Sequence, residues 1–210
     1  MNNMVLEKNT KLSRRTFVVG SAAVAGGGLA LGLRVPFEEA QAQSAPPATE
    51  VNVWVAIKPD DTCVIRIARS EMGQGTLTGL AQLVAEELEC DWSKVTTEGV
   101  TPARNLAAKR VWGEMGTGGS RGIRTSQDYV RRGGATARMM LLQAAADQWN
   151  VPVSELTVSN GVITHAGSKR SIRYGEVAAA AAKLTPPDPK SIKLKDPKDW
   201  KIAGKPLKRL

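Results

Sequence analysis

Val51, Val53, Val55 and Ile57 alternate with Asn52, Trp54 and Ala56, a period of two that predicts a strand with one buried face. Lys58-Pro59-Asp60-Asp61 is turn chemistry, and Thr62 to Arg69 reads as a second strand with Cys63, Ile65 and Ile67 on one side. The two strands predict an antiparallel hairpin. Leu77, Leu80, Ala81, Val84 and Leu88 fall at helical spacing and predict a helix from about Thr76 to Glu89. Glu86, Glu87 and Glu89 lie away from that stripe and are expected on a solvated face, as are Asp60 and Asp61 in their turn. A third strand is expected over Val95 to Val100. Thr101 to Thr125 is Gly-rich with little periodicity and reads as a long loop, of the kind usually functional or disordered in a compact domain. Ser126 is placed to cap a long helix reaching about Trp149, with Val130, Ala137, Leu141, Ala144 and Ala145 as its stripe. Asn160-Gly161, between Leu156-Thr157-Val158 and Val162-Ile163-Thr164, is a strong hairpin signal, and Tyr174 to Leu184 reads as a short Ala-rich helix. Beyond Thr185, Pro and Lys dominate and no element is predicted. The expected fold class is α+β: antiparallel hairpins with helices packed on one face.

Composition narrows the partners. The formal charge is +9, which points to a polyanion such as nucleic acid, anionic lipid or a phosphorylated cofactor. Only five of the 29 Lys and Arg lie in the first 42 residues, so the rest of the chain is basic too. Aromatics make up 4% of the residues, too few to interleave stacking platforms with cations, and no nucleic-acid motif is present; nucleic acid is therefore not an expected partner. Cys63 and Cys90 form no C-x-x-C pair, and with His165 as the single His a structural zinc site is not expected. Both cysteines read as small buried side chains, with a disulfide between them left open, and His165 reads as a surface residue. One His supports neither a Ser/His/Asp nor a Cys/His constellation. No residue is assigned as catalytic or as a metal ligand.

The amino terminus reads as an export leader. Ser13-Arg14-Arg15-Thr16-Phe17 precedes a Gly- and Ala-rich apolar run from Val18 to Leu33, and Ala40-Gln41-Ala42 follows as an A-x-A cleavage pattern. The paired Arg marks the twin-arginine route. The apolar run is shorter and more diluted than the roughly 20 residues of a spanning helix, so a cleaved signal is favoured over a retained anchor. That route carries folded cargo, which anticipates a cofactor. The expected division is a twin-arginine signal over 1–42, a Ser/Ala/Pro linker over 43–49, a ligand-binding module over 50–184 and a Pro/Lys-rich connector over 185–210.

Two Gly-rich segments are the candidate site. In Glu71-Met72-Gly73-Gln74-Gly75-Thr76, Gly73 and Gly75 can adopt positive φ, Thr76 opens a helix whose N–H groups and dipole favour an anion, and Gln74 offers both donor and acceptor. In Gly116-Thr117-Gly118-Gly119-Ser120-Arg121, followed by Arg124, amides, hydroxyls and a guanidinium converge ahead of another helix. Two such cradles suit one extended ligand with separated polar groups. Each segment alone is also compatible with a plain tight connection. A nicotinamide-dinucleotide site is the rival reading, against which stand the Gly73-x-Gly75-x-x-x-Gly79 spacing and a preceding strand assigned to a hairpin.

Glu-Met-Gly-Gln-Gly at 71–75 resembles the molybdopterin-contacting loop of the xanthine dehydrogenase and aldehyde oxidase family. Thr117-Gly118-Gly119-Ser120-Arg121 through Ser126 resembles that family's second cofactor loop. The run from about Val51 to Leu210, including Lys195 to Trp200 and Gly204 to Leu207, is similar to the start of the large subunit of the isoquinoline 1-oxidoreductase type, a group that includes periplasmic membrane-associated aldehyde dehydrogenases. The resemblance implies a molybdopterin-binding module and a molybdopterin cytosine dinucleotide cofactor carrying molybdenum. Gly73, Gln74, Gly75 and Thr76 would line one part of it, and Thr117, Gly118, Gly119, Ser120 and Arg121 another part, the pyrophosphate. It also implies hydroxylation of aldehydes or N-heteroaromatic compounds, with electrons leaving through a 2Fe–2S small subunit and onward to a c-type cytochrome subunit. A small-molecule substrate, the twin-arginine translocase and a periplasmic, membrane-associated location complete the implied setting.

The family's large subunits run several hundred residues further, and their activating glutamate lies in a Gly-Val-Gly-Glu segment that this sequence lacks. The expectation is an incomplete subunit, inactive alone; a stand-alone binding or assembly module of a split subunit is the alternative. The leader yields a direct test: replacing both Arg14 and Arg15 with Lys should hold the protein in the cytoplasm, scored by cell fractionation, and undiminished export would refute the twin-arginine reading.

Overall fold

The computed structural model describes residues 47–210, so the leader expected over 1–42 lies outside the described residues. The first sheet holds β1 (Thr49–Glu50), β2 (Val55–Ile57), β3 (Cys63–Ile67) and β4 (Val95–Gly99) in that order. Helix α1 (Thr76–Leu88) crosses between β3 and β4. Two short helices, α2 (Pro102–Ala107) and α3 (Arg121–Arg124), precede the long α4 (Gln127–Trp149). The second sheet is β5 (Leu156–Ser159), β6 (Val162–His165) and β7 (Arg170–Arg173), closed by α5 (Tyr174–Ala181). Mixed helix and sheet is the expected α+β class, with one difference in the pairing. β2 and β3 form the predicted antiparallel hairpin, but β4 lies parallel to β3 with Cys63 opposite Val95. A parallel partner requires a crossover of a dozen residues or more, which α1 supplies. The topological objection to a dinucleotide site, that its strand belongs to a hairpin alone, therefore falls; the spacing objection stands.

The period of two over residues 51–57 breaks at Asn52. Its Oδ1 accepts from Trp54 N and Val55 N, both at 2.9 Å, closing a turn that delays the strand to Val55. Val53 is consequently exposed and Trp54 buried, the reverse of the alternation. The segment expected as a loop over 101–125 contains two helices. Thr101 Oγ1 accepts from Arg104 N at 3.2 Å and Pro102 stands at the first helical position, a capping signal that periodicity over so few residues does not register. Ser126 precedes α4 as expected but makes no side-chain cap; it is buried and its Oγ receives Arg69 Nε at 3.0 Å. Asn160 and Gly161 take φ of 48° and 74°, the turn their sequence demands, and Gly161 N donates to Glu89 O at 2.9 Å, docking the hairpin on the end of α1. Strand β7 had no sequence signal. It pairs with β6, placing Arg170 opposite His165. The single His is thereby buried rather than on the surface, its Nε2 2.8 Å from Glu155 Oε2 and its Nδ1 2.7 Å from Ser168 Oγ. Cys63 and Cys90 are buried and unbonded, and the neighbouring Cys63 together with burial pushes the Cys90 thiol well above its ordinary range.

α1 and α4 make the central helix contact and run in the same direction: Gly122 faces Thr76, Gly134 faces Val84, and Arg138 pairs with Glu89. A Cβ on Gly134 would overlap the Val84 carbonyl oxygen, and one on Gly133 the Trp54 ring, so two adjacent glycines set how closely α4 approaches. Three carboxylates expected in solvent are absorbed by the tertiary structure. Glu87 is 0% exposed and pairs with Arg131 at 2.7 Å. Glu86 is 1% exposed; its Oε2 accepts from the N–H groups of Lys201, Ile202 and Ala203, and its Oε1 pairs with Lys195 Nζ at 3.0 Å. Burial alone would raise the Glu86 carboxyl, but the Ile202 and Ala203 amides and the Lys195 ammonium outweigh it and hold it below its ordinary value. Asp61 is also buried, accepting from Gly175 N at 2.9 Å and pairing with Arg173 and Lys94, whereas Asp60 stays exposed and caps Thr62 N.

Gly134→Ala should destabilise the fold by about 1–3 kcal/mol, the usual cost of overpacking, because its Cβ would meet backbone. Thermal denaturation should show a loss of several degrees, and an unchanged midpoint would mean that the two helices are free to separate.

Candidate functional site

Both Gly-rich segments sit at the same end of the α1–α4 pair, because each leads into one of these helices and the helices run in parallel. Arg69, two residues beyond β3, fixes their spacing. Its side chain is 3% exposed and its guanidinium donates to Ser126 Oγ at 3.0 Å, to Thr125 Oγ1 at 2.7 Å and to Gly116 O, with Glu114 3.6 Å away. Ser70 adds two bonds to Met115 O, from its N at 2.7 Å and its Oγ at 2.9 Å. The sequence marks Arg69 only as the end of the second strand and gives no sign of its role in spacing the loops, since Arg66 in the same strand carries the same charge.

The two loops meet directly. Gln74 Nε2 donates to Thr117 Oγ1 at 3.1 Å and to Ser70 O at 2.9 Å, while its Oε1 accepts from Met72 N at 2.6 Å. Thr76 is buried rather than open to a ligand, because its side chain fills the space left by the missing Cβ of Gly122. Gly73 and Gly75 have φ of 96° and 86°, the left-handed region that Gly alone enters cheaply. Their amides do converge on an anion, and that anion belongs to the loop. Glu71 Oε1 accepts from Gly73 N at 2.6 Å and Gly75 N at 3.0 Å, and its Oε2 accepts from Leu77 N at 2.8 Å. The carboxylate serves as the cap that helix α1 otherwise lacks. With Glu71 in place, these amides have no room for a pyrophosphate, which tells against a nicotinamide dinucleotide here.

The second loop differs. Gly119 and Ser120 take φ of 64° and 53°, Gly118, Gly119, Ser120 and Arg121 are exposed, and Arg121 Nε reaches Gly118 O at 3.4 Å. The N–H groups of Thr117, Gly118, Gly119 and Ser120 enter none of the hydrogen bonds of the described residues. Apart from each glycine and its two chain neighbours, no atom of the described residues lies within 4 Å of where a Cβ would stand on Gly73, Gly116 or Gly118, so the backbone is open to close approach at all three. Beyond Gly116 lies a cleft of about 500 Å³, lined by Asn105, Leu106, Arg110 and Met115 among others. Among the described residues no group of three or more His, Cys, Asp or Glu is placed to hold a metal ion, and no helix is long and apolar enough to cross a membrane.

The Glu71 contacts set a pH dependence. The N–H groups of Leu77, Gly75 and Gly73, with the nearby Arg209 charge, hold its carboxyl below the ordinary Glu value. A lowered pKa means the loop bonds are complete at neutral pH and fail as pH falls through the folded value. The amide resonances of Gly73, Gly75 and Leu77 should therefore shift together in an acid NMR titration, with a midpoint below 4.5, the ordinary value. Independent titration of the three amides would rule out the shared carboxylate.

Comparison with known proteins bears on what such a surface holds. The family described as molybdopterin cofactor-binding domain matches residues 9–206. The beta subunit of isoquinoline 1-oxidoreductase from Brevundimonas diminuta is 35% identical over 176 residues, covering 82% of this chain and 22% of that protein. A membrane-bound aldehyde dehydrogenase [pyrroloquinoline-quinone] from Gluconacetobacter polyoxogenes is 30% identical over 206 residues, covering 94% of this chain and 25% of its own length. This chain thus spans about a quarter of the length of these curated relatives. Among solved structures, CO dehydrogenase from Oligotropha carboxidovorans is similar at 23% identity over 59% of this chain and 15% of that one, with a TM-score of 0.44. The family match extends over nearly the whole sequence and includes both glycine loops: the chain belongs to the molybdopterin cofactor-binding domain family.

Proposed function

We propose that this chain supplies a molybdenum-cofactor-binding module of an oxidoreductase that hydroxylates aldehydes or N-heteroaromatic compounds. The observation that carries the reading is the Gln74–Thr117 hydrogen bond, which joins two glycine loops of a molybdopterin-binding family member into one surface. Gly73, Gln74, Gly75 and Thr76 form the first contact segment, with Thr76 acting from beneath as packing. Thr117, Gly118, Gly119, Ser120 and Arg121 form the second. The residues fit the group. The anionic part belongs at the second loop, where the amides are unengaged and Arg121 stands beside them, while the first loop has already neutralised its own amides with Glu71. The bound cofactor, in its cytosine dinucleotide form, supplies the redox centre at which the substrate is oxidised. This chain binds and orients it, and none of its residues is assigned a catalytic role.

The same reading places a 2Fe–2S small subunit as electron acceptor, with a c-type cytochrome subunit beyond it. It takes residues 1–42 as a twin-arginine signal that delivers the folded protein to the periplasm, 43–49 as linker, 50–184 as the module and 185–210 as the connector. The family match and the relatives' printed names support oxidoreductase chemistry; the export route rests on Arg14-Arg15 and the Ala40-Gln41-Ala42 pattern.

Gly75→Val tests the first loop in the assembled enzyme. Valine is strained at φ 86° and would fill the face on which the Arg209 guanidinium now lies and where a ligand would meet the backbone. Molybdenum content, measured by elemental mass spectrometry, should fall several-fold while the circular dichroism spectrum is kept. Full metal occupancy would reduce the loop to a plain strand-to-helix connection.

A further inference from the structure

Residues 201–210 run along α1 and reach the first loop. Glu86 holds the N–H groups of Lys201, Ile202 and Ala203, at the carboxyl end of the helix. From there Gln82 Nε2 reaches Lys205 O at 3.5 Å, Trp92 Nε1 donates to Lys208 O at 3.1 Å, and Leu210 N donates to Thr78 Oγ1 at 3.3 Å. The strap thereby delivers Arg209 to the loop. Its Nη2 donates to Gly73 O at 3.2 Å and lies 3.5 Å from where a Cβ on Gly75 would stand. The open face of Gly75, where a ligand would meet the backbone, is thus covered by a guanidinium belonging to the protein.

A guanidinium is planar and presents a row of N–H donors. The aminopyrimidinone ring of a pterin carries the same N–C(NH₂)–N unit. We propose that Gly73 O and the Gly75 face form a receptor for a planar, guanidine-like N–H edge, and that Arg209 occupies it as an internal stand-in which an incoming 2-aminopteridine displaces. The proposal rests on the reading of the first loop as a cofactor contact and adds the edge that is recognised and the residue that competes for it. Three features support it. Gly73 O accepts only from Arg209 among the hydrogen bonds of the described residues, so displacing that guanidinium frees the carbonyl for a ligand donor. Glu71 leaves negative charge beneath the site, which favours an N–H edge over a carbonyl edge. Arg209 is exposed and lies six residues beyond the segment that Glu86 holds, so its side chain can leave Gly73 O without breaking the Glu86 contacts.

The test uses the full chain and two soluble probes: pterin, and pteridine-2,4-dione, in which oxygen replaces the 2-amino group. Binding is followed by quenching of probe fluorescence. Pterin should bind wild type weakly and Arg209→Ala about fivefold more tightly, because the competent state is no longer reduced by the fraction in which Arg209 is seated. The dione should bind both proteins less well than pterin, since it keeps single ring N–H groups but loses the adjacent pair of N3–H and 2-amino donors that matches a guanidinium edge, and sets a carbonyl there instead. A thermal melt of Arg209→Ala that matches wild type excludes a folding effect. Equal affinity for the two probes, no gain in Arg209→Ala, or no pterin binding by either protein would each overturn the stand-in. These outcomes are separable from failure of the loop reading, which the molybdenum content of Gly75→Val in the assembled enzyme decides by itself.

Discussion

Everything at the candidate site follows from how closely α1 and α4 approach each other. Gly133 and Gly134 remove two side chains where Trp54 and the Val84 carbonyl need the space, and the helices lock in parallel. Each glycine loop feeds one of these helices, directly for α1 and through α3 for α4. Parallel packing therefore puts both loops at one end, within a hydrogen bond of each other at Gln74 and Thr117. Widening the helix pair would separate the loops before it disturbed either of them internally.

Around that contact the fold uses buried charge as its joints. Arg69 ties the sheet to the second loop, Glu87 ties α1 to α4 through Arg131, Glu86 gathers residues 201–203, and Asp61 ties the first hairpin to the start of α5. A buried ion pair contributes little net stability compared with an apolar replacement, but removing one partner typically costs about 3–5 kcal/mol. Such joints therefore specify which segments meet more than they strengthen the whole. The segments they join are far apart in sequence, and Glu86 in particular gives an irregular Pro- and Lys-rich stretch a defined path without regular structure.

The two loops divide their chemistry. The first is internally satisfied: Glu71 quiets its amides and Gln74 is used up in bracing. What it presents outward is the Gly73 carbonyl and the Gly75 backbone face, both met by Arg209. The second loop keeps its amides unengaged, has an arginine at its exit and opens toward the cleft beyond Gly116. A ligand with one hydrogen-bonding ring and one anionic group fits that asymmetry better than two phosphates would.

The sequence by itself determined the elements whose signals are local. The Asn160-Gly161 hairpin, the stripes of α1 and α4 and the positive φ of Gly73 and Gly75 all depend on residues within a few positions of one another. The two candidate loops were legible for the same reason. Tertiary structure decided what depends on distant partners. Glu86, Glu87 and Asp61 carry the local marks of solvated acids and are buried because cations and amides up to 117 positions away come to them. His165 is covered by a strand too short and too polar to announce itself. The parallel pairing of β4 was hidden because alternation gives a strand's face and never its neighbour. Glu71, in the sequence only the first residue of a glycine motif, became the filling of its own cradle once the chain had bent around it. Periodicity records which side of an element is apolar; only the folded chain brings the groups that make a buried charge affordable.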